Sequence, residues 1–116
     1  MKVKVDLGEF GFEGHVMMRI ADSIEQLEIL EELGCVDLTK LNSKGLGSIL
    51  TKTSNIIKLI KKSKDFYEEF DLKLGDAEIK SFDDLKSCGQ TAQVALMTCA
   101  KIALIGMGES EKKSKS

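Results

Sequence analysis

His15 is the only histidine of the chain, so a general base or imidazole ligand working near neutral pH has to start from it. Asp6, Glu9 and Glu13 are its neighbours in sequence, and a hairpin would bring Asp6 close. A relay also needs a nucleophile and a third, orienting group at suitable spacing, and neither is visible. His15 therefore reads as a histidine at a sheet surface. Cys35, Cys88 and Cys99 make an odd set with no C-x-x-C spacing. That pattern argues against a disulfide framework or structural zinc and for reduced thiols packed as small hydrophobes. Asp83-Asp84 resembles an acid pair, but its position at a helix start fits capping and the helix dipole. Gly8, Gly11 and Gly14 link strands and open no helix, unlike a dinucleotide or phosphate-binding loop. The expectation is a protein without catalytic residues, metal or cofactor.

Charge and composition narrow the partners. Net charge is −2 over 116 residues, which gives no global field towards nucleic acid or an anionic membrane. Lys52, Lys58, Lys61, Lys62 and Lys64 load one segment with positive charge, but Asp65, Glu68, Glu69 and Asp71 follow at once. A solvated lysine face is the simpler reading, with the last lysines complementing a helix C-terminus. Aromatics are 5% of residues, too sparse for a base-stacking platform. Nucleic acid is thus not an expected partner. No apolar run approaches the roughly 18 residues of a membrane helix, and Met1 to Asp6 alternate in polarity, unlike a signal peptide. A cytoplasmic location is expected.

The elements follow from periodicity. Lys2 to Leu7 and His15 to Ile20 alternate as two strands, with Val3, Val5, Leu7, Val16, Met18 and Ile20 inward. Asp22 or Ser23 caps a helix with Glu25 or Gln26 in the capping-box position, an apolar row of Ile24, Leu27, Leu30 and Leu33, and a stop at Gly34. Cys35 to Leu46 reads poorly, with one helical turn and a loop-like stretch from Asn42 to Gly47. Ser48 opens a second helix to about Tyr67, with Ile49, Leu50, Thr53, Ile56, Ile57, Ile60 and Lys64 on one face and Phe66 and Phe70 at its exit. Phe70 to Lys80 forms a second hairpin about Gly75-Asp76. Ser81 then caps a long helix running to about Ile105. The fold class is α+β: a small antiparallel hairpin sheet packed on about three helices, helix-rich. Residues 1–108 form one domain and 109–116 a polar, disordered tail. Whether the two hairpins join in one sheet stays open.

The last helix is apolar or small over most of its circumference. Leu85, Cys88, Ala92, Ala95, Cys99, Ile102 and Gly106 recur in steps of three and four, a heptad-like seam, and Val94, Met97 and Leu104 add a second strip. Such a helix is either central in its own fold or shared with another subunit. The second alternative makes Cys88, Ala92, Ala95, Cys99 and Ile102 a partner or homo-oligomer interface.

The order of parts is similar to that of small tail assembly chaperones of long-tailed bacteriophages and prophages. The likeness is carried by the N-terminal hairpin ending in Arg19-Ile20, the acidic helix, and the element Asp71-Leu72-Lys73-Leu74-Gly75-Asp76 followed by Ile79 and Ser81-Phe82-Asp83-Asp84-Leu85. The resemblance implies a non-enzymatic assembly factor of the host cytoplasm that binds the tape-measure protein and helps recruit tail-tube subunits. The alternatives are a phage or prophage structural connector, or another small acidic protein-binding adaptor such as a secretion-type chaperone.

Overall fold

A computed structural model describes residues 2–34 and 51–106. The chain is α+β, and the two hairpins join in one antiparallel sheet of order β1-β2-β3-β4. The strands are β1 (Lys2–Asp6), β2 (Glu13–Arg19), β3 (Tyr67–Leu74) and β4 (Ala77–Ile79). The helices are α1 (Ser23–Glu32), α2 (Thr53–Ser63), α3 (Phe82–Lys86) and α4 (Gln90–Ile105). The expected chain caps at Ser48, the segment from Cys35 to Leu50 and the polar tail lie outside the described residues.

Pairing sorts the sheet into two faces. Val5 opposes Val16 and Val3 opposes Met18, while Leu72 opposes Ile79. Val5, Val16, Met18, Leu72 and Ile79 are buried, as expected of a sheet with one face on the core. The other face carries Lys4, Glu69, Asp71, Lys73 and Glu78, all exposed. The register slips between Met17 and Met18, so that Met17 opposes Glu69 but Met18 opposes Tyr67. This one-residue bulge returns Tyr67 to the core side, where alternation alone would not place it. There its ring stacks on Phe70 and meets Phe82 edge-on, with both centroid distances 5.4 Å. Gly14 marks the closest backbone approach: its φ is +112°, and a Cβ there would collide with the Asp71 carbonyl. Only glycine fits.

Helix registers correct two expected faces. In α1, Ile29, Leu30 and the following Leu33 are buried, but Ile24 is 65% and Leu27 40% exposed. Steps of three advance about 300° at 3.6 residues per turn, so a row from Ile24 to Leu33 winds halfway round the helix. In α2 the buried residues are Asn55, Leu59 and Ser63, with Ile56 and Ile60 half-buried and Ile57 exposed. Two polar residues on the inner face shift it away from the apolar spacing. Ser63 tolerates burial because its hydroxyl donates to the Ile60 carbonyl at 2.7 Å. The helix ends at Ser63 and a 3-10 turn, Lys64–Phe66, leads directly into β3. Tyr67 to Phe70 are therefore strand, not helix exit.

The long final helix is broken. The Ser81 hydroxyl accepts the Asp84 amide at 3.1 Å, so the expected cap is present. Five residues later α3 stops, where the Ser87 hydroxyl donates to the Asp83 carbonyl at 2.9 Å and the Cys88 thiol to the Asp84 carbonyl at 3.3 Å. These side chains compete for the carbonyls that would continue the ladder. Gly89, at φ +71°, turns the chain into α4.

Candidate functional site

The residues expected to form a partner or oligomer interface are mostly inside the fold. Ala92, Ala95 and Cys99 are buried at 1%, 0% and 0% exposure, and Leu96, Ala100, Ala103 and Leu104 join them in the core. Cys88 is on the α3–α4 link rather than on α4, and Cys88 and Ile102 are half-buried against the same core. The seam is thus taken by the chain itself, and this corrects the interface reading. Small side chains let α2 and the sheet approach α4 closely. Val94 and Ile105 are the apolar residues of α4 left exposed.

Burial also makes Cys99 chemically quiet. Its thiol is pushed up to about 11, because the surroundings disfavour the thiolate, so it is protonated and a poor nucleophile at neutral pH. Burial raises the Cys88 thiol as well. The Tyr67 hydroxyl is enclosed beside Cys99 and Ser63, its geometry to both falls short of a hydrogen bond, and burial moves it far above its ordinary range. His15 stands in a row with Asp6 on β1 and Asp71 on β3. Among the described residues no group of three or more His, Cys, Asp or Glu side chains could hold a metal ion. None of the described helices is long and apolar enough to cross a membrane.

The surface with most character lies on α1. Asp22 accepts the Glu25 amide at 2.8 Å, and Glu25 accepts the Asp22 amide at 2.9 Å, a complete capping box. Arg19, the last residue of β2, binds the same Glu25 carboxylate with both terminal nitrogens at 2.6 and 3.0 Å. Its guanidinium lies 4.3 Å from the centre of the Phe66 ring. One arginine thereby ties β2, the start of α1 and the 3-10 turn after α2 together through a fork and a ring face. The Arg19 hydrogen bond, followed by the Asp22 amide, holds the Glu25 carboxyl below the usual carboxylate range.

Beside this knot runs a groove of about 280 Å³, lined by Glu25, Glu28, Glu31, Glu32 and Asp65 with Lys62 and Phe66. Lys62 pairs with Glu32 at 2.8 Å, and Lys58 donates to the Glu32 carbonyl at 3.4 Å. The lysine-rich helix thus spends part of its charge on α1, and the groove stays acidic. On the outer side of α1, Leu27 and Glu28 lie three and four residues after Ile24, Glu31 lies four after Leu27, and all four share one exposed face. Sequence reasoning placed Ile24 and Leu27 inside and so missed this face. The available signal was surplus: α1 and its cap hold five large apolar residues at positions 24, 27, 29, 30 and 33, more than one buried stripe accommodates. No protein-family model matches the chain, and neither a curated protein nor a solved structure is found to match it.

Proposed function

We propose that the protein is a non-enzymatic assembly factor of the tail-chaperone type, binding a helical segment of the tape-measure protein reversibly and helping to bring tail-tube subunits to it. The observation that supports this reading is the outer face of α1, where Ile24 and Leu27 stand in solvent beside Glu28 and Glu31. Two large apolar side chains give a docking helix a place to bury its own stripe. Carboxylates around them favour a client helix flanked by lysine or arginine and disfavour nucleic acid. The resemblance rests on the stretch from Phe70 to Leu85, in which β3 and β4 pair as a hairpin and Ser81 caps the following helix. The work of such a factor is binding and release, for which a shallow face serves and a reaction pocket is unnecessary.

Co-expression with the tape-measure protein of the same genome tests the reading. The native chain co-purifies with it, and the double substitution Ile24→Asp with Leu27→Asp loses that capture while keeping its fold. Undiminished capture by a folded double variant would remove α1 from the account. Recovery of the protein in purified particles would instead favour the structural connector.

A further inference from the structure

Among the described residues the sheet has two edges with no further strand beside them, and they differ. β4 is three residues long, and the Lys80 amide just beyond it is already taken by the Asp84 carboxylate at 3.0 Å. β1 runs for five residues without bulge or proline, and among the described residues it is paired only with β2. The Leu7 amide donates to the Gly14 carbonyl across the hairpin at 3.2 Å. In an antiparallel ladder the amide and carbonyl of one residue face the same neighbour and alternate along the strand. Val3, Val5 and Leu7 therefore turn their backbone groups to β2, and Lys2, Lys4 and Asp6 turn theirs outward. Lys2 pairs with Glu68 across the sheet at 3.4 Å. Lys4 has no ion-pair partner among the described residues, and the Asp6 carboxylate accepts only the Gly8 amide at 2.8 Å.

We infer that β1 is a homodimerisation edge: two copies pair antiparallel about a two-fold axis at Val5, with Lys4 opposite the partner subunit's Asp6. In this register both residues of the charged pair are those whose backbone groups point outward. Each Lys4 and Asp6 then exchanges two backbone hydrogen bonds and one cross-strand ion pair with the other copy, and symmetry makes the pair occur twice. Val3 falls opposite Leu7 and Val5 opposite Val5, which keeps the apolar face continuous across the axis. Sliding the copies by one step that preserves the faces sets Lys4 against Lys4, or Asp6 against Asp6, at the axis. With Lys4 at the axis Asp6 would face Lys2, which Glu68 already pairs, so the Val5 register is the one that matches free charges without a like-charge contact. A net charge of −2 per copy opposes such a pairing little. The pairing does not depend on which client α1 binds.

Sedimentation across a concentration series into the millimolar range tests the pairing on the intact chain. The expected result is a monomer–dimer equilibrium with no larger species. Lys4→Asp and Asp6→Lys each weaken the dimer roughly tenfold or more, because both ion pairs become like-charge pairs. Mixed one to one, the two variants restore a dimer, since each supplies what the other lacks. Lys4→Pro removes an outward amide without touching the ladder to β2 and also yields a monomer. Should the proline variant fail to fold, the charge-mixing result decides alone. A native chain that stays monomeric throughout, a dimer indifferent to the charge variants, or open-ended growth through β1 on β4 would each overturn the inference.

Discussion

α1 and α4 make opposite uses of a surplus of apolar residues. α4 carries small side chains on its inner arc, and the sheet and α2 close over Ala92, Ala95, Cys99 and Ala103. α1 carries large ones, and the fold covers Ile29, Leu30 and Leu33 but leaves Ile24 and Leu27 outside. Size explains the difference. Alanine and cysteine let a helix sit deep between neighbours, so an almost wholly apolar helix becomes the centre of its own domain. Leucine and isoleucine on a ten-residue helix hold it further out, and one side of it stays wet. Apolarity alone is thus a poor guide to binding surfaces; what matters is how close the neighbours can come.

Substitutions that add charge to each helix would break this contrast most sharply. Ala95→Asp should unfold the chain or cost more than about 3 kcal/mol in urea denaturation, because a carboxylate would lie in a packed core without a partner. A near-neutral result would mean that α4 is accessible after all. Alkaline titration gives the next largest effect. The Cys99 thiol, ordinarily ionising near 9.0, is held protonated in the fold up to about 11. Above pH 9 the unfolded chain releases a proton that the fold retains. The stabilisation is therefore intact below pH 9 and is lost as pH rises through about 11, on the order of 2–3 kcal/mol at 1.36 kcal/mol per unit. Comparing the stability of Cys99→Ala with the native chain at pH 8 and pH 11 isolates this slope.

Smaller effects belong to α1. Asp22→Ala deletes one half of the capping box and should cost about 1 kcal/mol, seen as a lower urea midpoint with an unchanged slope. Leu27→Asp should change stability by no more than about 0.5 kcal/mol, since the residue is solvent-exposed. If Leu27→Asp cost as much as Ala95→Asp, the distinction between the two helices would fail.

Much of the fold was legible in the sequence because alternation and capping act locally. Val5, Val16, Met18, Leu72 and Ile79 face inward as their spacing requires, and the Asp22–Glu25 and Ser81 caps form where their side chains permit. The misses arise where tertiary contacts overrule spacing. Asn55 and Ser63 are buried because their neighbours can cover them, which no apolar pattern reveals. The α3–α4 break depends on Ser87, Cys88 and Gly89 acting together, and each alone is tolerated in a helix. Tyr67 reaches the core through a bulge that alternation cannot express. For the candidate surface, the surplus on α1 was visible, but which half of it stays outside is decided by β2 through the Arg19–Glu25 fork and by the 3-10 turn after α2 through Phe66.

The most direct test of the claim that the α4 seam is core rather than docking surface is thiol labelling of the native chain with a small aromatic disulfide, in a Cys35→Ser background. Cys88, half-buried on the α3–α4 link, should react under native conditions without unfolding, though more slowly than a free thiol. Cys99 should react only at the rate of global unfolding, and faster in proportion as urea destabilises the fold. Labelling of both thiols at similar rates in the absence of denaturant would contradict the account.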